Sequence, residues 1–218
     1  MPEWAWRRLA VLTGAEPAPL PTSTLERGDR GPAVAALQRA LNGARYVAGP
    51  ADGVFGSRTR YGVIAWQKAN GLARDGTVDP DEYVQLLRER RRAPPVAGRD
   101  YVFIDLDRQL LFDVREGTVR RILPVSTGNG EPYTGRDGER HVAITPRGRY
   151  EVFRKVAGED ESYLGTLWYP AYFTNGYAVH ESTSVPAQPA SHGCVRIPRH
   201  LAEEMFRRME IETTAIVA

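Results

Sequence analysis

The stretch YAVHESTSVPAQPASHGCVR, residues 177–196, holds the only cysteine of the 218-residue chain, Cys194, and two of its four histidines, His180 and His192. A cysteine attacks as its thiolate, and a nearby imidazole is the usual means of supplying that thiolate near neutral pH. Pro186 and Pro189 forbid a helix between His180 and Cys194, because each lacks an amide donor and restricts the residue before it. Tyr177 and Val179 read as a short strand ending at His180, and Val195 and Ile197 alternate around Arg196 as a second strand. A strand, a proline-rich loop and a second strand can thus bring the imidazole opposite the thiol.

The order His180, then Ser191, His192, Gly193, Cys194, Val195 and Arg196, resembles the signature of the L,D-transpeptidase catalytic domain (YkuD-like) of bacterial cell-wall enzymes. A free cysteine is more often a small buried hydrophobe. The SHGC run with a histidine at loop distance argues for a site instead. The resemblance implies that Cys194 is the nucleophile and His180 its base, with His180 held by a backbone carbonyl. It further implies attack on the carbonyl between a meso-diaminopimelate-type residue and D-alanine, and a thioester that an acceptor amine resolves into 3-3 crosslinks or related attachments. The amides of Gly193 and Cys194 are the expected oxyanion donors, with Ser191 and His192 supporting the site. Arg196, Trp168 and Tyr169 are expected to bind substrate, the last two with Tyr163 in a lid-like segment. An imidazole beside the thiol is expected to shift the resting pair toward thiolate and imidazolium. Neither a metal nor an organic cofactor is expected.

Glu181 departs from the family pattern, in which glycine commonly follows the first histidine; a carboxylate there could raise the histidine pKa or alter acceptor binding. Three other readings stand beside the transpeptidase. Water in place of the amine would make the enzyme an L,D-carboxypeptidase. A degenerate catalytic domain would leave a non-catalytic cell-wall-binding protein. Zinc on His180, His192 and Cys194 lacks any standard ligand spacing.

The composition, 42% hydrophobic with a formal net charge of +2, suits one large or two smaller globular domains. Residues 1–97 carry 14 basic and 10 acidic groups and residues 98–218 carry 15 and 17, so nucleic-acid binding has no electrostatic support. The basic run Arg88 to Arg92 reads as the solvated end of a helix. A single cysteine excludes an intrachain disulfide. There is no apolar stretch of about 18 residues and hence no transmembrane helix. Arg7 and Arg8 precede only Leu9 to Leu12, too short an apolar run for a signal peptide, although peptidoglycan chemistry calls for an extracytoplasmic enzyme.

Pro17, Pro19 and Pro21 mark an extended leader over residues 1–24, and APPVAGR marks a linker at 93–99. Between them, residues 25–92 hold three helical patterns: Val34, Leu37 and Leu41 after Pro32; Val63, Ile64 and Trp66 after Ser57; and a run to Leu87 opened by Asp79 and Pro80. Two Asp-Gly turns, Asp52-Gly53 and Asp75-Gly76, and the repeated pairs Leu37-Gln38 and Trp66-Gln67 suggest an internal near-duplication. Together with Leu25, Gly28, Gly31, Phe55, Gly56, Thr59, Leu72 and Val78, this pattern resembles the peptidoglycan-binding domain type 1, which implies peptidoglycan as partner. Most of these residues are architectural by type.

From Asp100 the chain turns to strands: YVFIDLD and RQLLFDV as a hairpin, then TVRRILPVSTG, GRYEVFRKV, YPAYFT, YAVHES and IETTAIVA, with an amphipathic helix from Leu201 to Met209. VSTG, residues 125–128, and TPRGRYEV, residues 145–152, also resemble L,D-transpeptidase phrases. The expected architecture is α+β in two domains: a small three-helix peptidoglycan-binding domain, then a β-rich catalytic domain over 100–218. A monomer is expected, and β-lactams of the carbapenem type are partners that the resemblance implies.

Overall fold

The structure is a computed structural model, described here for residues 20–218. Most of the expected leader and the Arg7-Arg8 segment lie outside the described residues. Residues 20–24 form no regular element.

Among the described residues three helices come first: α1 (Pro32–Gly43), α2 (Ser57–Asn70) and α3 (Pro80–Leu87). Pro32 supplies a preset φ at the first turn of α1. Asp79 and Glu82 close a reciprocal capping box on α3. The near-duplication has a physical cause. Gln38 Nε2 donates to Asp52 Oδ1 at 2.9 Å while Gly53 N–H donates to Gln38 Oε1 at 2.9 Å. Gln67 repeats the clamp on Asp75 and Gly76 at the same two distances. Each buried glutamine thus holds one Asp-Gly turn, so these repeated polar side chains serve the scaffold.

In the basic run Arg88, Arg90 and Arg91 are exposed at the end of a helix as expected, whereas Glu89 and Arg92 are not. Helix α3 stops at Leu87, and Glu89 turns inward to accept from Tyr46 Oη at 3.2 Å and from Trp66 Nε1 at 3.3 Å. Arg92 follows it, donating to Tyr46 Oη and Asn70 Oδ1, both at 2.8 Å. Two buried aromatic polar atoms need partners, and this run supplies them.

The second part holds twelve strands among the described residues. Strands β1 (Tyr101–Asp105), β2 (Leu110–Arg115), β3 (Thr118–Pro124), β6 (Gly148–Glu151) and β12 (Thr214–Val217) form one sheet in the order β3-β2-β1-β12-β6. Strands β7 (Arg154–Lys155), β8 (Glu159–Ser162), β9 (Gly165–Thr174), β10 (Tyr177–Ser182) and β11 (Val195–Pro198) form a second sheet, and β4 (Pro132–Thr134) pairs with β5 (Arg140–Val142) alone. A fourth described helix, α4 (Arg199–Arg208), packs on the second sheet.

The first sheet is covered on both faces, which explains why all five residues of β1 are buried, four apolar ones followed by Asp105. Val102, Ile104, Leu111 and Val217 pack against Phe173, Val179, Val195 and Ile197 of the second sheet and Leu201 and Met205 of α4. Tyr101, Phe103, Phe112 and Ile122 face the other way, into one cluster with Leu37, Trp66 and Tyr83 of the helical part. The two parts therefore share a hydrophobic core. Asp113 is fully buried in β2 and is tied to Arg115 and Arg208, with Arg121 at 3.7 Å.

Candidate active site

Strands β10 and β11 run parallel, with Val179 opposite Val195 and His180 opposite Arg196. The valines enter the core, so the period-two alternation turns His180 and Arg196 to the other face. A register shift against β9 falls between Val179 and Glu181, a bulge centred on His180 that re-aims its ring. His180 is 7% exposed, and its Nδ1 lies 2.7 Å from the carbonyl of Glu181. A carbonyl can only accept, so Nδ1 carries the hydrogen and the neutral ring presents its lone pair at Nε2.

The loop before Cys194 is fixed by short contacts. Ser191 Oγ accepts from Gly193 N–H at 3.0 Å and donates to the Cys194 carbonyl at 2.6 Å. Thr145 Oγ1 donates to the Gly193 carbonyl at 2.6 Å. Gly193 has φ of +135°, and a Cβ there would sit 2.4 Å from the Tyr177 ring, so the position admits only glycine. The Gly193 N–H, expected as an oxyanion donor, donates to Ser191 Oγ in this structure. The serine-to-second-residue turn is a local habit of hydroxyl side chains and was readable in Ser191-His192-Gly193.

The electrostatics also depart from expectation. Cys194 is half-buried, its Sγ 3.6 Å from the Gly176 carbonyl. Burial pushes its thiol above the ordinary value of 9.0, outweighing the opposing pull of the Ala178 amide and of Arg196. Burial likewise lowers His180 to about 4, against the support of the Glu181 carbonyl. Both shifts favour the neutral thiol and imidazole over the expected thiolate–imidazolium pair. The Glu181 carboxylate is engaged by Arg199 at 3.2 Å, which answers its charge, while its carbonyl orients the imidazole as any residue could.

His180 and Cys194 open together onto a cleft of about 1130 Å³, whose walls include His192, Arg196, Trp168 and Tyr163. Tyr163 and Leu164 form the tip of the β8–β9 hairpin, 58% and 49% exposed. Ser191 also borders the cleft, whereas Gly193 is buried and does not line it. Tyr169 does not line the cleft. Its φ of +50° interrupts the regular course of β9, and its ring meets Phe206 of α4 edge-on at 5.6 Å. Tyr133 and His141, carried by the β4–β5 hairpin, complete one wall without having been singled out. The Tyr133 ring meets His192 edge-on at 5.0 Å, and His141 Nε2 lies 3.0 Å from both Asp137 oxygens. Strands of three residues, PYT and RHV, carry too little alternation to be read beforehand.

Residues 30–86 match a family described as a peptidoglycan binding domain, and residues 99–217 match the L,D-transpeptidase catalytic domain. Among solved structures, the chain is similar to an L,D-transpeptidase from Xylanimonas cellulosilytica at 41% identity and a TM-score of 0.86, over 92% of this chain and 100% of that one. It shares the fold of an L,D-transpeptidase from Stackebrandtia nassauensis at 22% identity and a TM-score of 0.52, over 91% of this chain and 96% of that one. With the catalytic-domain match spanning more than half its length and a relative covered end to end, the chain belongs to the L,D-transpeptidase family and is an enzyme of that type.

Proposed function

We propose that the protein transfers peptidoglycan stem peptides through a thioester on Cys194. The observation that carries this reading is the pairing, in one cleft, of the single cysteine with a histidine whose Nδ1 is capped by the Glu181 carbonyl. His180 Nε2 takes the thiol proton as Sγ bonds to the carbonyl carbon before the terminal D-alanine. The oxyanion that forms draws on the Cys194 amide, since the Gly193 amide is engaged elsewhere. Collapse breaks the C–N bond, and the proton passes from His180 to the departing D-alanine amine. An acceptor amine then attacks the thioester, His180 accepts its proton, and the thiolate leaves and is reprotonated. Starting from a neutral pair, the histidine works as a general base at the moment of attack.

Arg196 and Trp168 are read as the substrate-binding groups, Arg196 through its fork of donors to a carboxylate. Ser191 and His192 support the nucleophile loop. The matched family at 30–86 supports attachment to peptidoglycan and a cell-wall-associated place for the enzyme. Extracytoplasmic action, a monomeric state, acylation by carbapenems and domain boundaries at 25–92 and 100–218 belong to the same reading. Among the described residues no helix is long and apolar enough to cross a membrane.

The test is product analysis after incubation with purified disaccharide-tetrapeptide. A 3-3 crosslinked dimer is the expected product. Tripeptide alone would make the enzyme an L,D-carboxypeptidase, and unchanged substrate with folded protein would leave a wall-binding protein.

A further inference from the structure

Lys68 lies in the last turn of α2, where a lysine is ordinarily solvated, yet it is 1% exposed. Its Nζ donates to the carbonyl of Val125 at 2.8 Å and to that of Gln109 at 3.1 Å, both in the strand-rich part. Burying an ammonium there is costly, and burial accordingly lowers Lys68 to about 7. A scaffold contact alone could be apolar, as it is elsewhere along this seam.

The two carbonyls lead to the nucleophile loop. Gln109 Nε2 donates to Thr127 Oγ1 at 2.7 Å, and Thr127 N–H donates to Gln109 Oε1 at 2.9 Å. The Thr127 carbonyl accepts the amides of Ala190 and Ser191 at 3.0 and 2.9 Å. Ser191 Oγ then holds Gly193 and Cys194. Beside this path, Ser126 exchanges backbone hydrogen bonds with Arg196 at 3.0 and 3.2 Å, just past the sulfur. A second contact runs from the helical part to the same loop, from Arg74 Nη1 to the Ala187 carbonyl at 3.4 Å.

We propose that Lys68 is a positioning residue for the reaction at Cys194: by binding the carbonyls of Gln109 and Val125 it fixes the segment from which the nucleophile loop hangs. The helical part then contributes to catalysis as well as to wall attachment. The inference rests on the reading of Cys194 as the acylated nucleophile. Discrete hydrogen-bonded links of this kind modulate a distant site when one is cut, and small displacements of a nucleophile are felt strongly in rate.

The experiment uses the whole chain as wild type, Lys68→Met, Thr127→Val and the double variant. Acylation of Cys194 by disaccharide-tetrapeptide is followed by intact mass over a range of donor concentrations, and folding by circular dichroism. Lys68→Met keeps the chain length and removes the donors. The saturated acylation rate should fall about tenfold while the half-saturating donor concentration moves less than about twofold. The double variant should be no slower than the slower single, because both cut one path. Unchanged saturated rates in folded Lys68→Met, whatever its loss of stability, would overturn the proposal, as would multiplying effects in the double. Should Lys68→Met not fold, Lys68→Gln is read by the same two outcomes. Absence of any Cys194 adduct in the wild type would overturn the acyl-enzyme reading and this inference with it, whereas a wild-type adduct with unaffected variants removes this inference alone.

Discussion

Alkylation of Cys194 by iodoacetamide should climb steeply with pH, because burial favours a thiol and a neutral imidazole at rest. Burial sets the thiol above 9.0 and brings the imidazole down to about 4, and neither group holds the other's charge in place. A thiol titrating above 9 is less than about 1% thiolate at pH 7, and that fraction grows ~10-fold per pH unit until the pKa is reached. The alkylation rate should therefore rise about tenfold from pH 7 to 8 and again from 8 to 9. With a single cysteine in the chain, intact mass follows this sulfur alone. His180→Ala should leave the profile within about twofold, since an imidazole that is neutral at pH 7 lends the thiolate no charge. An ion pair behaves differently on both counts. It holds the thiolate through the acid range, gives a nearly flat rate from about pH 5 to 8, and loses ~100-fold at pH 7 when the histidine is removed. A plateau of that form would refute the reasoning.

Asp113→Ala leaves Arg115, Arg121 and Arg208 around a vacated, fully buried position and should destabilise by about 3–5 kcal/mol, read as a fall of roughly 10 °C in Tm. Gln67→Leu keeps the volume but frees the buried Gly76 amide and the Thr77 carbonyl, for a loss of about 2–3 kcal/mol by urea denaturation. His180 is depressed to about 4 from an ordinary 6.5, so between those values the unfolded chain binds a proton that the folded one does not. Stability should thus be full above pH 6.5 and fall toward pH 4, by up to about 3 kcal/mol from this group, and His180→Gln should make that limb of a urea-midpoint curve shallower, leaving the share of His200, which burial also lowers to about 4. Gly193→Ala forces a methyl into the Tyr177 ring and should cut acylation by at least ~100-fold, measured per folded molecule.

The two strands that deliver His180 and Cys194 were legible because the deciding forces are local: prolines barring a helix, alternation around each reactive residue, and glycine before the cysteine. The paired glutamines of the helical part were legible as a repeat for the same reason, each meeting its own Asp-Gly turn within 15 residues. What escaped depends on partners distant in sequence. Glu89 and Arg92 turn inward only because Tyr46 and Trp66 bring buried polar atoms to that place. Nothing in the sequence singles out Lys68, whose burial arises only when the first sheet closes over α2. Tyr169 is a different case, since its backbone takes a φ of +50° inside β9, a break that a period-two reading does not foresee. The protonation of the site was the least legible part. Desolvation is set by every atom that the fold packs around sulfur and ring, and no motif encodes it.

The account turns on an acyl group carried by Cys194, and the most direct measurement is the intact mass of the protein during turnover of disaccharide-tetrapeptide. The wild type should show an adduct equal to the donor less D-alanine, mapped by peptide digestion to Cys194 and missing from Cys194→Ala. Crosslinked product formed by the wild type with no such adduct, or by Cys194→Ala at an undiminished rate, would contradict it.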